Sequence, residues 1–344
     1  MPDSTFVPLR IVSMGGGNGL SALLRGLKRY ATLGSGQVEL TAVVTVTDDG
    51  GSSGRLRREF DVLPPGDIRN CMTALSEDEA LLSRLFSYRF SSGRGLKGHS
   101  FGNLFLTVMT RLTGDFAQAV RFSSEVLAVA GRIYPSTSSN VVLEATLADG
   151  TKVAGESRIS RSVAPIRKIT LQPRHAKPLP ETLEAIANAD LITMGPGSLF
   201  TSIVPNLLVD GIPQAITASP AYKAYFMNLM TQPGETTQFR ASDHVNALLK
   251  HSGRIRGCLL NACVVNTRPF SERILKKYRE QAAQPVECDS KQLDRMGIEV
   301  VEADLLRMNS RSSADKIRHD SSTTAAVAIE LAQRGRRLRR RFAS

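Results

Sequence analysis

Several features are missing from this sequence of 344 residues, which has no Trp and only 6% aromatic residues. Its apolar runs, such as Leu104 to Met109 and Cys258 to Val265, are far shorter than the roughly 18 to 20 residues that cross a bilayer, so we expect no membrane span. Met1 to Arg10 combines an acid with two prolines, and the apolar stretch after it ends at once in glycines, unlike a signal peptide. We therefore expect a cytosolic protein.

Signals for disulfides, metal clusters and P-loops are also missing. The four cysteines form no CxxC pair and no Cys/His spacing typical of metal ligands, so we interpret them as free and mostly buried thiols. No GxxxxGK(S/T) segment occurs, which argues against ordinary P-loop nucleotide hydrolysis. What is present, 42% hydrophobic and 22% charged residues, is ordinary globular composition, which excludes extended disorder and a fibrous repeat.

The net charge of +12 is unevenly distributed. Residues 334–344 contain six arginines and no acid, so they carry +6 and leave +6 for the other 333 residues. This tail is interpreted either as a solvated helix end or as a contact for an acidic partner or anionic surface. Because it lacks interleaved aromatic residues and any recognised module, we expect no nucleic-acid partner.

The first 47 residues predict a βαβ unit. Arg10 to Met14 is a short apolar run, the glycine turn Gly15–Gly19 follows, and leucines then recur at helical spacing. Val38 to Thr47 is strongly β-forming and predicts the next parallel strand.

Later segments continue the alternation of strands and helices after a helical insertion at about 66–132 and a β-hairpin at about 141–157 around Asp149-Gly150. The predicted strands are Asp190–Met194, Ala224–Met230 and Cys258–Val265, and the predicted helices are Pro180–Ala189, Ala241–His251, Ser271–Ala283 and Ser322–Arg334. The pattern is typical of a doubly wound, mainly parallel, Rossmann-like sheet of the α/β class with the hairpin protruding. We predict one domain over 1–333 and a separate basic tail over 334–344.

Two glycine turns are candidate phosphate sites, because backbone N–H groups at such turns approach phosphate oxygens closely. The first comprises Gly15, Gly16, Gly17, Asn18 and Gly19, and the second comprises Gly195, Pro196, Gly197 and Ser198. The first turn fits GxGxx(G/A), but the acid expected about 20 residues later is missing, which argues against a nicotinamide or flavin cofactor. The alternative is a tight turn without a ligand.

The segment after the second strand contains Asp48, Asp49, Gly50, Ser52, Ser53 and Arg55. Paired carboxylates at the carboxyl edge of a sheet can hold Mg²⁺ or a sugar hydroxyl, while the Gly/Ser turn and the arginine can bind anionic oxygens. The alternative is a capped loop with solvated acids. We expect Arg57 and Arg58 to face solvent.

Three further segments carry polar side chains at predicted helix starts. Asp67, Arg69 and Asn70 open one helix, where Asp67 is either an N-terminal cap or a ligand contact. His99 and Asn103 open another, and the histidine has either a structural role or acts on a phosphate or sugar.

Near the C-terminus, Arg318 is a candidate for a diphosphate contact, because a guanidinium matches phosphate geometry. The alternative is a surface ion pair with Asp315 or Asp320.

Eight ordered segments carry a resemblance to a known family. They are Gly15–Leu20, Thr45–Arg55 (TVTDDGGSSGR), Pro64–Asn70 (PPGDIRN), Gly98–Leu104 (GHSFGNL), Gly195–Ser202 (GPGSLFTS), Asn228–Thr236 (NLMTQPGET), Ala241–His244 (ASDH) and Ile317–Asp320 (IRHD). Over roughly residues 10 to 332 the chain resembles the gluconeogenesis factor family, also called YvcK-like, whose CofD-like fold is related to 2-phospho-L-lactate transferase. It departs from that family at Asn18, where Thr is usual, at Ser321, where Thr is often found, and in its acid-free tail.

The resemblance implies a cytoplasmic protein that binds a nucleotide diphosphate sugar, best exemplified by UDP-N-acetylglucosamine, with Asn228 among the contacts. It also implies support of cell-wall precursor supply and cell shape during gluconeogenic growth. We further expect a protein partner and a homo-oligomer, a dimer. No catalytic residue is assigned. The alternatives are a transferase in which Asp48 and Asp49 hold Mg²⁺, and a nucleic-acid or membrane-surface binder that uses the arginine tail.

Overall fold

The computed structural model describes residues 7–31, 36–77, 81–307 and 317–343. Its first half contains β1 (Leu9–Gly15), α1 (Gly17–Ala31), β2 (Val38–Val44), α2 (Gly51–Phe60), α3 (Gly66–Leu75), α4 (Leu81–Ser87), α5 (Phe101–Thr113), α6 (Phe116–Val126), β3 (Arg132–Pro135), β4 (Val142–Leu147), β5 (Lys152–Ala154), α7 (Glu156–Ile159) and β6 (Ile166–Gln172). The expectations for residues 1–6, Asp315 and Ser344 lie outside the described residues.

The second half continues the alternation of helices and strands. It contains α8 (Pro180–Asn188), β7 (Leu191–Met194), a π-helical turn (Leu199–Ile203), α9 (Val204–Leu207), α10 (Ile212–Ala218), β8 (Tyr222–Phe226), α11 (Ala241–His251), β9 (Ala262–Asn266), α12 (Glu272–Arg279), α13 (Ser290–Arg295), β10 (Glu299–Ala303) and α14 (Ser321–Ala343).

A seven-stranded parallel sheet in the order β10-β9-β8-β7-β1-β2-β3 forms the centre of the fold, so the predicted doubly wound α/β sheet is confirmed. The chain builds outward from β1 through β2 to β3, and later crosses to the other side of β1 and continues from β7 to β10. The strand order therefore reverses between β1 and β7. In open α/β sheets this switch point, outside the carboxyl ends of the strands, is where ligands bind.

Burial along the central strands shows why they form a parallel sheet. All four residues of β7 and all five of β8 are buried, and β1 is buried except at Arg10. Apolar residues that occupy consecutive positions rather than alternate ones bury both faces of a strand, which requires helices on both sides.

One helical layer is held by the close packing of α1 on α14. The α1 leucines that recur at helical spacing, Leu20, Leu23, Leu24 and Leu27, are fully buried. On the same helix, a Cβ at Gly26 would overlap with the backbone carbonyl oxygen of Ser321. Since α1 begins at the first glycine turn and α14 follows Ile317–Asp320, this contact fixes two candidate segments relative to each other.

The predicted hairpin exists as β4 and β5, but it belongs to a three-stranded antiparallel sheet in the order β5-β4-β6. The third strand was not predicted. Leu143 and Ala145 of β4 and Ile169 of β6 are buried, and the N–H of Ile169 donates to His251 Nε2 of α11 at 3.0 Å. The hairpin is therefore packed onto the body of the domain through its sheet.

Other boundaries and elements differ from the sequence expectations. The Gly/Ser segment predicted as a loop is helix α2, where Ser52, Ser53 and Gly54 are buried, so tertiary packing overrides poor helix propensity. Arg57 is half-buried and donates to the Val141 carbonyl at 2.5 Å rather than facing solvent, whereas Arg58 is exposed. Strands β8 and β9 are displaced from their predicted ranges, and β3 and β10 were not predicted.

The arginine-rich segment continues α14 to Ala343, beyond the predicted helix end at Arg334. Arg336 forms an ion pair with Asp190 at 2.6 Å, and Asp190 also accepts from the N–H of Arg10. The charged end of this helix is thus bound to the start of the sheet.

Two findings concern membrane spans and thiols. Among the described residues, no single helix combines the length and apolarity of a membrane span, although the bent pair Leu199–Leu207 and Ile212–Ala218 passes that test jointly. All four cysteines are free, but only Cys71 and Cys263 are buried, so the prediction of mostly buried thiols is wrong for the other two.

Candidate functional site

The two glycine turns meet at the switch point. Gly15 ends β1, and Gly17, with a φ of +62°, begins α1. A Cβ on Gly19 would overlap with the carbonyl oxygen of Pro196, and one on Gly197 would lie 3.6 Å from the Gly16 carbonyl oxygen. The backbones are therefore in contact, and the predicted convergence of the turns at one edge of the sheet is confirmed.

A cleft of about 610 Å³ opens beside these turns. On the side of the turns it is lined by Asn18, Gly19, Pro196, Gly197 and Ser198; on the other sides it is lined by Asn228–Pro233, Glu235, Lys277, Tyr278 and Ile317–His319, among others. Its volume lies in the range of small-molecule sites. The cleft brings Arg318, from the far end of the chain, to both glycine turns.

Asp48 and Asp67 form an acidic group next to the first turn. The N–H of Gly17 donates to the Asp67 carboxylate, and a Cβ on Gly16 would lie 2.6 Å from Asp67 Oδ2. Burial, together with the nearby charge of Asp48, raises the pKa of Asp67 to about 7. Asp67 therefore does not act as the N-cap of α3, which is Pro65, but faces the first glycine turn.

Asp48 follows β2 and is oriented by the start of α2. Its Oδ1 accepts from the N–H of Gly50 at 2.8 Å, and it accepts from the Ser53 hydroxyl. A Cβ on Gly66 would lie 2.5 Å from Asp48 Oδ2. Burial raises the pKa of Asp48 above its ordinary value, although these two hydrogen bonds oppose the shift. Only glycine at position 66 leaves room for this carboxylate beside α3.

Asp49 faces a different element. Its Oδ1 accepts from the N–H of Ser157 at 2.8 Å, so it holds the start of α7 and the small sheet in place. That contact brings Glu156 toward the acids. Burial, and the charges of Asp48, Asp67, Asp49 and Glu235, raise the pKa of Glu156 to about 8.

The segments that open α2 and α5 are joined by hydrogen bonds. Ser52 Oγ lies 3.0 Å from His99 Nδ1, and Asn103 Nδ2 donates to Ser53 Oγ at 3.3 Å. Burial, and next the charge of Arg55, lower the pKa of His99 below its ordinary value. These contacts favour the structural role for His99.

The arginines of this region have different partners. Arg55 donates to the Lys97 carbonyl at 2.8 Å, and Arg69 donates to Asn70 Oδ1 at 2.7 Å. Burial lowers the pKa of Arg69 from its ordinary value, while the charges of Asp67 and Asp48 oppose that effect.

The predicted residues thus form two groups joined by Gly15, Gly16 and Gly17. The cleft group contains Asn18, Gly19, Pro196, Gly197, Ser198, Asn228 and Arg318, with Gly195 directly before it. The polar group contains Asp48, Asp49, Gly50, Ser52, Ser53, Arg55, Asp67, Arg69, Asn70, His99 and Asn103.

Sequence reasoning missed Glu156, Ser160 and Glu235. Ser160 and Glu235 line the cleft, and Glu235 lies within the segment Asn228–Thr236 that carries the family resemblance. Glu156 had no local signal, because only the docking of the small sheet brings it to the acids.

Two carboxylates of the polar group are candidate ligands for magnesium. Within the described ranges, no group of three or more His, Cys, Asp or Glu residues has the geometry to hold a metal ion. However, Mg²⁺ is commonly bound by one or two carboxylates together with substrate phosphates. Asp48 with Asp67 suits this better than Asp48 with Asp49, whose Oδ1 accepts from Ser157. The predicted magnesium site remains a prediction.

Comparisons with known proteins agree on one family. Residues 11–306 match the family described as 2-phospho-L-lactate transferase CofD. The chain is 46% identical over 323 residues to the gluconeogenesis factor of Bacillus subtilis, covering 94% of this chain and 98% of that protein. It is 45% identical over 320 residues to the gluconeogenesis factor of Halalkalibacterium halodurans, covering 93% and 95%.

Solved structures agree with the sequence relatives. One crystal structure of a Bacillus halodurans protein superposes with a TM-score of 0.88 at 44% identity, covering 94% of this chain and all of that one. A second, described as a member of the UPF0052 family, gives a TM-score of 0.86 at the same identity and coverage of this chain. The resemblance found in the sequence is therefore confirmed, and the chain belongs to the CofD family, alongside the relatives named gluconeogenesis factors.

Proposed function

We propose that this protein is a cytoplasmic gluconeogenesis factor that binds a nucleotide diphosphate sugar, specifically a UDP-sugar, in the cleft beside the two glycine turns. The observation that carries the proposal is the meeting of the turns after β1 and β7 at the switch point, on a cleft that also contains Arg318. Binding would support cell-wall precursor supply and cell shape during gluconeogenic growth. A protein partner and a dimer remain predictions.

The chemistry of the cleft suits a diphosphate. The N-terminus of α1 lies at the first turn, and helix N-termini combine unpaired N–H groups with a partial positive charge. Asn18 and Ser198 add neutral hydrogen-bonding groups, and Arg318, which is exposed, adds a guanidinium that can bind phosphate oxygens bidentately. The names of the relatives support the cellular role, and the resemblance suggests the uridine nucleotide.

Calorimetric titration tests this proposal. UDP-, GDP- and ADP-sugars are titrated into the protein with and without Mg²⁺, and we expect a UDP-sugar to bind most tightly. Arg318→Ala should weaken that binding at least about tenfold, or about 1.4 kcal/mol, because one charge-assisted phosphate contact is lost.

Arg307→Ala is the matched control. Arg307 is exposed and its N–H donates to the Arg318 carbonyl, but its side chain does not line the cleft. Its affinity should equal that of the wild type. Equal affinities for Arg318→Ala and Arg307→Ala, or no binding of any nucleotide sugar, would contradict the proposal.

A Mg²⁺-dependent transferase is the second candidate, and the acidic group specifically favours it. The pKa of Asp48, Asp67 and Glu156 is raised in each case because burial and like charge disfavour ionised carboxylates, and a divalent cation would offset that repulsion. Bound Mg²⁺ would neutralise phosphate charge during an in-line attack on a nucleoside diphosphate conjugate. The family match to 2-phospho-L-lactate transferase supports this reading.

Product analysis separates the two candidates. If the tightest-binding nucleotide sugar is converted in the presence of Mg²⁺, and Asp48→Asn abolishes conversion while the protein stays folded, the transferase is favoured. Stoichiometric binding without any product, unchanged by Mg²⁺, would favour the binding protein.

A further inference from the structure

Glu235 is a buried carboxylate in the cleft with one oxygen left unpartnered. The side chain is only 4% exposed, and its Oε1 lies 3.4 Å from the hydroxyls of both Ser160 and Thr201. The N–H of Phe200 also donates to this carboxylate. Its Oε2, in contrast, has no hydrogen-bond partner among the described residues. The carboxylate is therefore held in place from one side, with acceptor capacity unused.

A second unpartnered acceptor lies on the same loop. Asn228 Nδ2 donates to Gln232 Oε1 at 3.3 Å, and Gln232 Nε2 donates to Ser198 Oγ at 2.8 Å. This chain fixes the amide of Asn228 against the second glycine turn. Asn228 Oδ1 is buried without a partner in the described part of the chain. Buried acceptors without donors are costly, so two of them in one cleft call for an explanation.

The chemistry of the acceptors limits what can satisfy them. A diphosphate has no donor at neutral pH, and a carboxylate repels it. Uracil offers only one N–H, and the two carbonyl oxygens that flank this N–H are repelled by a carboxylate. The ribose and the sugar both offer hydroxyls, each of which donates a hydrogen bond, and a comparison of UDP with UDP-glucose separates them. The acceptor loop therefore suits the uncharged, hydroxyl-bearing part of a ligand whose diphosphate lies at the glycine turns and Arg318.

We propose that Glu235, assisted by Asn228, recognises the sugar hydroxyls of the nucleotide sugar and so determines specificity for the sugar over the free nucleotide. This inference rests on the proposed function and assigns the sugar end of the same cleft. Burial raises the pKa of Glu235 to about 7, and hydroxyl donors would favour the ionised carboxylate. Gly234 supports the placement, because a Cβ there would overlap with the Ser162 carbonyl and displace the loop.

The test compares UDP with UDP-glucose by calorimetry, using wild type, Glu235→Gln and Asn228→Ala. Wild type should bind UDP-glucose more tightly than UDP. In Glu235→Gln, the affinity for UDP-glucose should fall about tenfold, since a hydrogen bond to a charged acceptor is lost, while the affinity for UDP stays within about twofold. Asn228→Ala should likewise lower the affinity for UDP-glucose more than the affinity for UDP.

Glu302→Gln provides the matched control, because Glu302 is exposed on β10 and lies outside the cleft. Melting temperatures of all variants confirm that they are folded. An equal loss for UDP and UDP-glucose, or no loss for either, would overturn the assignment of Glu235 to the sugar. If the wild type binds neither nucleotide, the proposed function fails instead, and the two failures are distinguishable.

Discussion

Replacing Asp67 with Asn should stabilise the protein increasingly as the pH rises. Burial and the charge of Asp48 raise the pKa of Asp67 from 3.8 to about 7. A folded-state pKa above the unfolded value means that this carboxyl supports folding fully only below about pH 4. Its contribution is lost as the pH rises through 7, because the folded state then contains a buried, ionised carboxylate.

The size of the effect follows from the same values. A pKa difference of about 3 between the folded and unfolded states lowers the free energy of unfolding by about 4 kcal/mol once Asp67 is ionised in both states, and by about 1.5 kcal/mol at pH 5. Between pH 5 and pH 8 the stabilisation of the protein by Asp67→Asn should therefore grow by at most about 3 kcal/mol. Since the Asp67 side chain keeps some contact with solvent, which screens its charge, we expect about half of that.

Urea denaturation of wild type and Asp67→Asn at pH 5 and pH 8, without metal or nucleotide, measures the change. Glu156 and Glu235 titrate in the same range and are present in both proteins; because the charge of Asp67 helps to raise the pKa of Glu156, removing that charge adds to the gain at high pH in the same direction. Asp294→Asn, at an exposed position of α13, should show no pH-dependent gain. A gain from Asp67→Asn that is constant or that shrinks toward pH 8 would refute the reasoning.

Two further predictions concern the last helix. Arg336→Ala should lower the free energy of unfolding by about 3 kcal/mol, because it leaves the buried Asp190 without its cation. The control Arg337→Ala, at an exposed position, should change that free energy little, and equal denaturation midpoints for the two variants would contradict the prediction. Gly26→Ala should lower the free energy of unfolding by about 2 kcal/mol despite the better helix propensity of Ala, because the added Cβ overlaps with the backbone carbonyl of Ser321. A higher melting temperature than that of the wild type would contradict this.

The sequence predicted the parts of the fold whose signals are local. The β1–turn–α1 unit follows from a run of apolar residues, a glycine turn and leucines at helical spacing, and α11 was predicted with its observed ends. Helix α2 was missed because its Gly/Ser start has low helix propensity and is stabilised by burial against other segments. The edge strand β3 follows a helical block and is only four residues long, too short to give a periodic signal.

The sequence predicted which residues belong to the candidate site, but not how they are arranged in space. That both glycine turns lie at one edge follows from parallel strands, whatever the side chains. The partner of Asp49, in contrast, is the Ser157 N–H, more than a hundred positions away, and the same docking brings Glu156 to the acids. The anchoring of the arginine-rich segment likewise depends on Asp190, which no pattern connects with Arg336.

A crystal structure with UDP-N-acetylglucosamine tests the central claim most directly. We expect the diphosphate within hydrogen-bond distance of backbone N–H groups of both glycine turns and of the Arg318 guanidinium, with the sugar toward Glu235. A nucleotide sugar bound instead in another cavity, such as the one of about 740 Å³ lined by Arg240, Ser242 and Lys291 among others, would contradict the account.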